Sequence, residues 1–197
     1  MGTRNLTCVK LDGKYPIAQY GQFDGYPSGQ GVTVYRFVKG LTRKKYRIFL
    51  RKLRAAQEMS EGECGKIWQD THAMFTGYPE LMCGTAADIL ELVRKSPAGI
   101  KLVNHLMFAS DSLFCEWTYV IDLDKRPQTL EVYVGFNKRP VPAGERFANM
   151  PRCEVHRNYE YYPIVHLHTF PLWKLPTTEE EYARILENKQ ETYHARS

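Results

Sequence analysis

The sequence predicts an α+β fold, an antiparallel sheet built from hairpins and layered with helices, and three observations predict it. Asp12-Gly13 separates two short runs of strand formers, a strong signal for a two-residue hairpin turn. A second hairpin is written into residues 114–134, around a turn at 124–128. Helical periodicity gathers in a middle block and recurs only near the C-terminus. Hairpins at the ends and helices between them read as α+β rather than as the alternating units of a doubly wound sheet. A chain of 197 residues fits one domain, 1–197, large enough to bury about 70 % of its unfolded surface without a disulfide or metal.

In order, residues 6–11 form the first strand and residues 15–20 return from the turn, with Pro16 limiting that strand to an edge or itself to the strand's first residues. A glycine-rich loop follows, Ala18-Gln19-Tyr20-Gly21-Gln22-Phe23-Asp24-Gly25-Tyr26-Pro27-Ser28-Gly29-Gln30-Gly31. It is too polar for a core strand and too rich in glycine for a helix. Residues 32–38 start a helix, and 41–59 continue with helical period, Tyr46, Phe49, Leu50 and Leu53 forming the apolar stripe. Residues 60–65 read as a loop and 66–75 as a short helix. Thr85-Ala86-Ala87-Asp88 resembles a capping box opening a helix over 86–95. Ser96-Pro97 ends it and leads to a short helix over 103–107. Residues 114–123 and 129–134 are the strands of the second hairpin, 135–152 a loop, and 161–170 a third strand region. Pro176-Thr177-Thr178-Glu179 starts a final helix, with glutamates at its positive dipole end, running to about residue 190.

Composition narrows function by exclusion. Apolar residues at 43% and charged residues at 25% describe an ordinary globule. No apolar run approaches the roughly 18 residues of a membrane span, and a secretory leader is not expected because no apolar run follows Arg4. Leu6 stands where a myristoylation signal needs Ser or Thr. The cysteines Cys8, Cys64, Cys83, Cys115 and Cys153 are odd in number and unpaired in spacing, so free thiols and a cytoplasmic setting are expected, with no disulfide framework, metal or cofactor. Cys8 and Cys115, in strands, read as structural.

Charge is concentrated. Arg36, Lys39, Arg43, Lys44, Lys45, Arg47, Arg51, Lys52 and Arg54 fall between Val32 and Gln57 with no acid among them; against a net charge of +5, that leaves the rest of the chain at −4. The basic helix reads as a solvated face, a surface for a phosphate-rich or acidic partner, or, with no recognisable nucleic-acid motif beside it, less readily a nucleic-acid element. His166-x-His168 places two imidazoles on one strand face, open to metal binding or to cross-strand packing. Glu116 lies on the second hairpin with Asp122 and Asp124; buried, it needs a partner, for which Arg4 is available, and otherwise it is exposed. Asp24 is either a site residue or the head of a local Asx turn. Phe75-Thr76-Gly77-Tyr78-Pro79 echoes Phe23-Asp24-Gly25-Tyr26-Pro27, which is too little for a repeat fold.

The opening Gly2-Thr3-Arg4-Asn5-Leu6, the Asp12-Gly13 turn and the glycine-rich loop together resemble the signature of an uncharacterised family of fungi, bacteria and bacteriophages. The likeness continues through Pro79-Glu80-Leu81, Ala87-Asp88-Ile89-Leu90 and Glu116-Trp117-Thr118-Tyr119-Val120-Ile121-Asp122-Leu123-Asp124 and covers most of the chain. Met82-Cys83-Gly84 stands where that family carries a polar, charged pair. The resemblance implies membership and no activity. The first hairpin is also similar in plan to N-terminal-nucleophile hydrolases. That likeness implies Thr3 as nucleophile and Asp24 orienting a substrate, with backbone amides as oxyanion hole.

The functional expectation is a small polar ligand or protein partner held at residues 19–31, with Arg4, Asn5, Gln19, Tyr20, Gln22, Tyr26, Gln30 and Glu116 as binding residues. The alternatives are an amidohydrolase using Thr3 and Asp24, and a binder of phosphate-rich or acidic partners through residues 36–54.

Overall fold

A computed structural model describes residues 2–60, 62–63, 84–153 and 161–195. The expected helix over 66–75, the echo at 75–79, Cys64, Cys83, His72, His156 and the segment 79–83 lie outside them. The protein is α+β: one five-stranded sheet, a two-stranded ribbon and, among the described residues, four α-helices.

Asp12 and Gly13 both take positive φ (52° and 75°), the conformation a type I′ turn requires, and join β1 (Asn5–Leu11) to β2 (Lys14–Gly21). β5 (Trp117–Asp122) and β6 (Thr129–Val134) form the second hairpin, and β7 (Val165–Pro171) adds to it. The strand order is β2-β1-β5-β6-β7, which leaves β2, carrying Pro16, at an edge. The sheet is mostly antiparallel, as a sheet built from hairpins should be. The exception is the seam where the two hairpins meet: β1 and β5 run parallel, Asn5 opposite Trp117 and Lys10 opposite Asp122. Hairpin signals fix pairing within each ribbon and say nothing of how two ribbons meet.

Strand alternation gives the sheet two unlike faces. Val9, Leu11, Ile17, Trp117, Tyr119, Ile121, Leu130, Val132 and Val134 meet the helices. That layer comprises α1 (Val32–Lys39), α2 (Arg43–Ala55), α3 (Ile89–Lys95) and α4 (Glu179–His194). Pro27–Gly31 winds a wide turn, Gly31 N–H donating to Tyr26 O at 3.2 Å, that feeds directly into α1. In α2, Phe49 and Leu53 are buried while Tyr46 and Leu50 pack half-buried against the core. Thr178 caps α4 by accepting from Glu181 N–H at 3.1 Å, and Glu181 Oε2 accepts from Thr177 N–H at 2.9 Å. No helix among the described residues is long and apolar enough to cross a membrane.

Four local expectations shift. α2 stops at Ala55, and Gln57–Glu58 forms β3, which pairs parallel with β4 (Lys101–Leu102), because Ile100 O draws Gln57 N–H out of the helical path at 2.9 Å. Thr85 makes no side-chain cap; a 3-10 turn, Ala86–Asp88, precedes α3 instead. Leu106–Ser110 is a 3-10 segment rather than a helix over 103–107. A register shift between Val132 and Tyr133 parts the two histidines: His166 stands opposite Tyr133, and His168 opposite Val132 against the Phe170 ring.

The other face carries a smaller apolar cluster, Leu6, Cys8, Ala18, Ala109, Cys115, Val120, Tyr133, Phe147 and Ile164. Beside it the face turns polar, at the carboxyl ends of β1 and β5.

Candidate functional site

The glycine-rich loop closes the opposite end of the sheet, where β1 and β5 begin. Its glycines make room for the protein's own atoms. A Cβ on Gly25 would lie 2.8 Å from Thr3 O, one on Gly29 2.3 Å from Asp24 O, and one on Gly31 2.8 Å from the Tyr119 hydroxyl. Tyr119 donates to Gly25 O at 2.8 Å. Gly25 N–H donates to Thr3 O at 2.9 Å, bringing the buried Thr3 and Asp24 to one corner. Asp24 itself has φ +54° and an exposed side chain. Its carboxylate makes no Asx turn; its backbone carbonyl accepts Gln30 N–H at 2.8 Å.

The expected binding residues around this loop are engaged with the fold. Asn5 Nδ2 donates to Gly21 O and Phe23 O at 3.3 and 3.2 Å. Buried Gln19 donates to Tyr20 O at 3.1 Å. The Tyr20 hydroxyl donates to Gln22 Oε1, and its ring packs edge-on against Phe108. Gln30 Oε1 accepts Ala87 N–H at 3.1 Å, pinning the loop to the 3-10 turn. Glu116 Oε1 accepts Arg4 N–H at 3.2 Å, while the Arg4 guanidinium lies over the Phe114 ring, 4.5 Å from its centroid. Burial raises the Glu116 carboxyl above its ordinary range. Tyr26 and Phe23 project outward, 47% and 54% exposed. Five concavities formed by described residues are lined by other parts of the chain.

One of these, of ≈ 720 Å³, lies over the polar end of the second face, lined by residues that include Lys10, Tyr15, Asp122, Glu131, Glu145, Arg146 and His166. β5 and β6 build its floor. Register places Asp122 opposite Thr129 and Val120 opposite Glu131, so Asp122 and Glu131 share the face away from the helices. Arg146, from the loop 135–152, reaches down between them. Its Nη2 bonds Asp122 Oδ2 and lies 2.8 Å from Glu131 Oε2, its Nε donates to Glu131 Oε2 at 2.9 Å, and its Nη1 donates to the Tyr15 hydroxyl at 2.9 Å. Glu131 also accepts from Lys125 Nζ and the Tyr133 hydroxyl, each at 2.5 Å, and from the Thr129 hydroxyl at 3.1 Å. The free oxygen of Asp122 accepts Asp124 N–H and Lys125 N–H at 3.0 and 3.2 Å.

Charges this deep persist only when bonded on every side; the three side chains are 1%, 2% and 9% exposed. Burial alone would raise the Glu131 carboxyl, but the Lys125, Tyr133 and Arg146 contacts outweigh it and hold the group at about 2. Burial raises the Tyr133 and Tyr15 phenols. Burial likewise lowers His166, whose Nε2 lies 2.7 Å from the Thr169 hydroxyl. At neutral pH the floor is therefore a fixed lattice of ion pairs with a neutral imidazole at its rim. Two further groups at the cavity are uncommitted among the described residues: Glu145 Oε2 is buried without a hydrogen-bond partner there, and the Lys10 ammonium makes no ion pair with them.

Sequence reading named Asp122 only as a hairpin acid and missed Glu131 and Arg146. Glu131 carries a signal, an acid between Leu130 and Val132 in an otherwise apolar strand. Arg146 carries none, being one cation in a loop of prolines and glycines. Cys8 and Cys115 are free and buried, and burial pushes the Cys115 thiol up to about 12 and Cys8 higher still, as inert core thiols require. No group of three His, Cys, Asp or Glu among the described residues could hold a metal ion. Comparison with protein-family models, curated proteins and solved structures found no match.

Proposed function

We propose that the protein binds a small polar ligand in the cleft above Asp122, Glu131 and Arg146. The observation that carries this reading is the contrast within the cavity. Its floor is a saturated ion network, rigid by construction, while Glu145 and Lys10 keep unspent hydrogen-bonding capacity beside it. A concavity of this volume suits a small molecule. A ligand offering a donor to Glu145 and an acceptor to Lys10, as amino acids and amino sugars do, matches the groups left open. Thermal-shift and NMR titration against a panel of such compounds tests it. Hits should be lost in Glu145→Gln and Lys10→Ala, both expected to fold; hits indifferent to both changes overturn the reading and leave the network as an anchor for the loop.

A second reading, a protein partner at the glycine-rich loop, is favoured by the outward Phe23 and Tyr26 rings. Phe23→Ser with Tyr26→Ser should then abolish a pull-down interaction that the cleft variants retain. A third reading, an amidohydrolase acting through Thr3, rests on the corner that Thr3 and Asp24 share. It needs Thr3 as the first residue of the mature chain. Amidase activity in protein whose intact mass still includes Gly2 removes it.

A further inference from the structure

The nine cations between residues 32 and 57 are not equivalent in space. Arg36 is spent on Glu179, its Nε and Nη2 reaching the two carboxylate oxygens at 2.7 and 2.5 Å. Arg54 is spent on Asp12 at 2.9 Å. Lys39 lies over the Tyr35 ring, 5.7 Å from its centroid. Arg43, Lys44, Arg47 and Arg51 differ: with Ile48 they line a single concavity of ≈ 690 Å³ on the outward side of α2. None of the four makes an ion pair among the described residues, and α2 holds no acid. The spacing i, i+4, i+8 stacks the three arginines along one helix face, over about 12 Å at 1.5 Å per residue.

We propose that this face binds a small anion carrying several linked phosphates. Arginine's planar fork matches phosphate oxygens two at a time, and three forks in a row with a lysine beside them ask for phosphates in a row. The length of the patch sets the size. The stripe spans about 12 Å, the reach of a few linked phosphates. A long polyanion would overrun the three stacked arginines; a compact one would not. The phosphates could belong to a free oligophosphate or to a phosphorylated lipid headgroup, which present the same chemistry.

Calorimetric titration of the full chain with tripolyphosphate, at low and at physiological salt, tests the proposal. Saturable one-to-one binding is expected, weakened at least tenfold by the added salt as screening predicts. Arg47→Gln with Arg51→Gln should weaken it at least tenfold at an unchanged melting temperature, while Arg184→Gln, at an exposed position of α4, should leave it intact. Vesicles bearing polyphosphorylated headgroups that bind more tightly than tripolyphosphate at equal phosphate concentration assign the lipid source; the reverse order assigns the free one. The proposal fails if no saturable binding occurs at low salt, if inorganic phosphate binds as tightly as tripolyphosphate, if Arg184→Gln costs as much as the double variant, or if a 20-base-pair duplex binds more tightly than either phosphate source.

Discussion

At one end of the β1–β5 seam, Gly25, Gly29 and Gly31 let backbone press against backbone and against the Tyr119 hydroxyl. At the other, Asp122, Glu131 and Arg146 are sunk below the surface and tied to one another. Both ends are closely fitted, by unlike forces. The glycine end depends on the absence of side chains, so its tolerance is steric and indifferent to pH. The cleft end depends on charge, so it tolerates small changes of shape but not the loss of a partner. The expected ligand site lay at the first end; the structure offers unused polar groups in a cavity at the second.

Removing Arg146 should expose that difference most sharply. Arg146→Ala leaves two buried carboxylates without their shared cation, and a loss of about 3–5 kcal/mol is expected, read as a lower midpoint in urea denaturation. A shift below about 1 kcal/mol would mean that the network adds no more than a surface ion pair.

Acid should find the same weak point. The Glu131 carboxyl is held at about 2, below its ordinary 4.5. Its stabilising contribution is fully present above 4.5 and is lost as pH falls from there through 2. His168 is lowered to about 4, through burial first and then the neighbouring Lys189 and His166 charges. A histidine held neutral in the folded state costs stability once pH drops below its unfolded value near 6.5. Melting temperature should therefore begin to fall below about 6.5 and fall again below about 4.5. His168→Phe should shrink the first step, which the lowered His166 and His105 share, and Glu131→Gln should shrink the second.

The glycine end should break by sterics alone. Gly29→Ala brings a methyl group to 2.3 Å from the Asp24 carbonyl oxygen, a backbone atom with little room to yield. A loss of about 1–3 kcal/mol is expected, equal at pH 5 and pH 8. A pH-dependent loss would blur the distinction between the two ends. Smallest of all, Asp24→Asn should change stability by less than about 0.5 kcal/mol, because its exposed carboxylate bonds nothing among the described residues. A larger change would give Asp24 a structural role.

The sequence was most legible where structure is local. The Asp12-Gly13 turn, the edge strand marked by Pro16, the stripe of α2 and the Thr178 cap each follow from a few neighbouring residues. The parallel meeting of β1 and β5 and the descent of Arg146 between two acids depend on residues far apart in the chain, which no local pattern records. The glycine-rich loop was conspicuous for a real reason, the need for close approach; what approaches is the protein's own backbone.

The parallel seam has a consequence for how the molecule is made. β1 can close its hairpin with β2 as soon as both leave the ribosome, but its other edge pairs with residues 117–122, synthesised roughly a hundred residues later, the kind of distant pairing that slows folding. Until then a nascent chain carries Leu6, Cys8 and Val9 on an uncovered strand, an invitation to mispairing. Chains truncated before residue 117 should aggregate or be held by chaperones, whereas those extended past β6 should begin to refold on dilution.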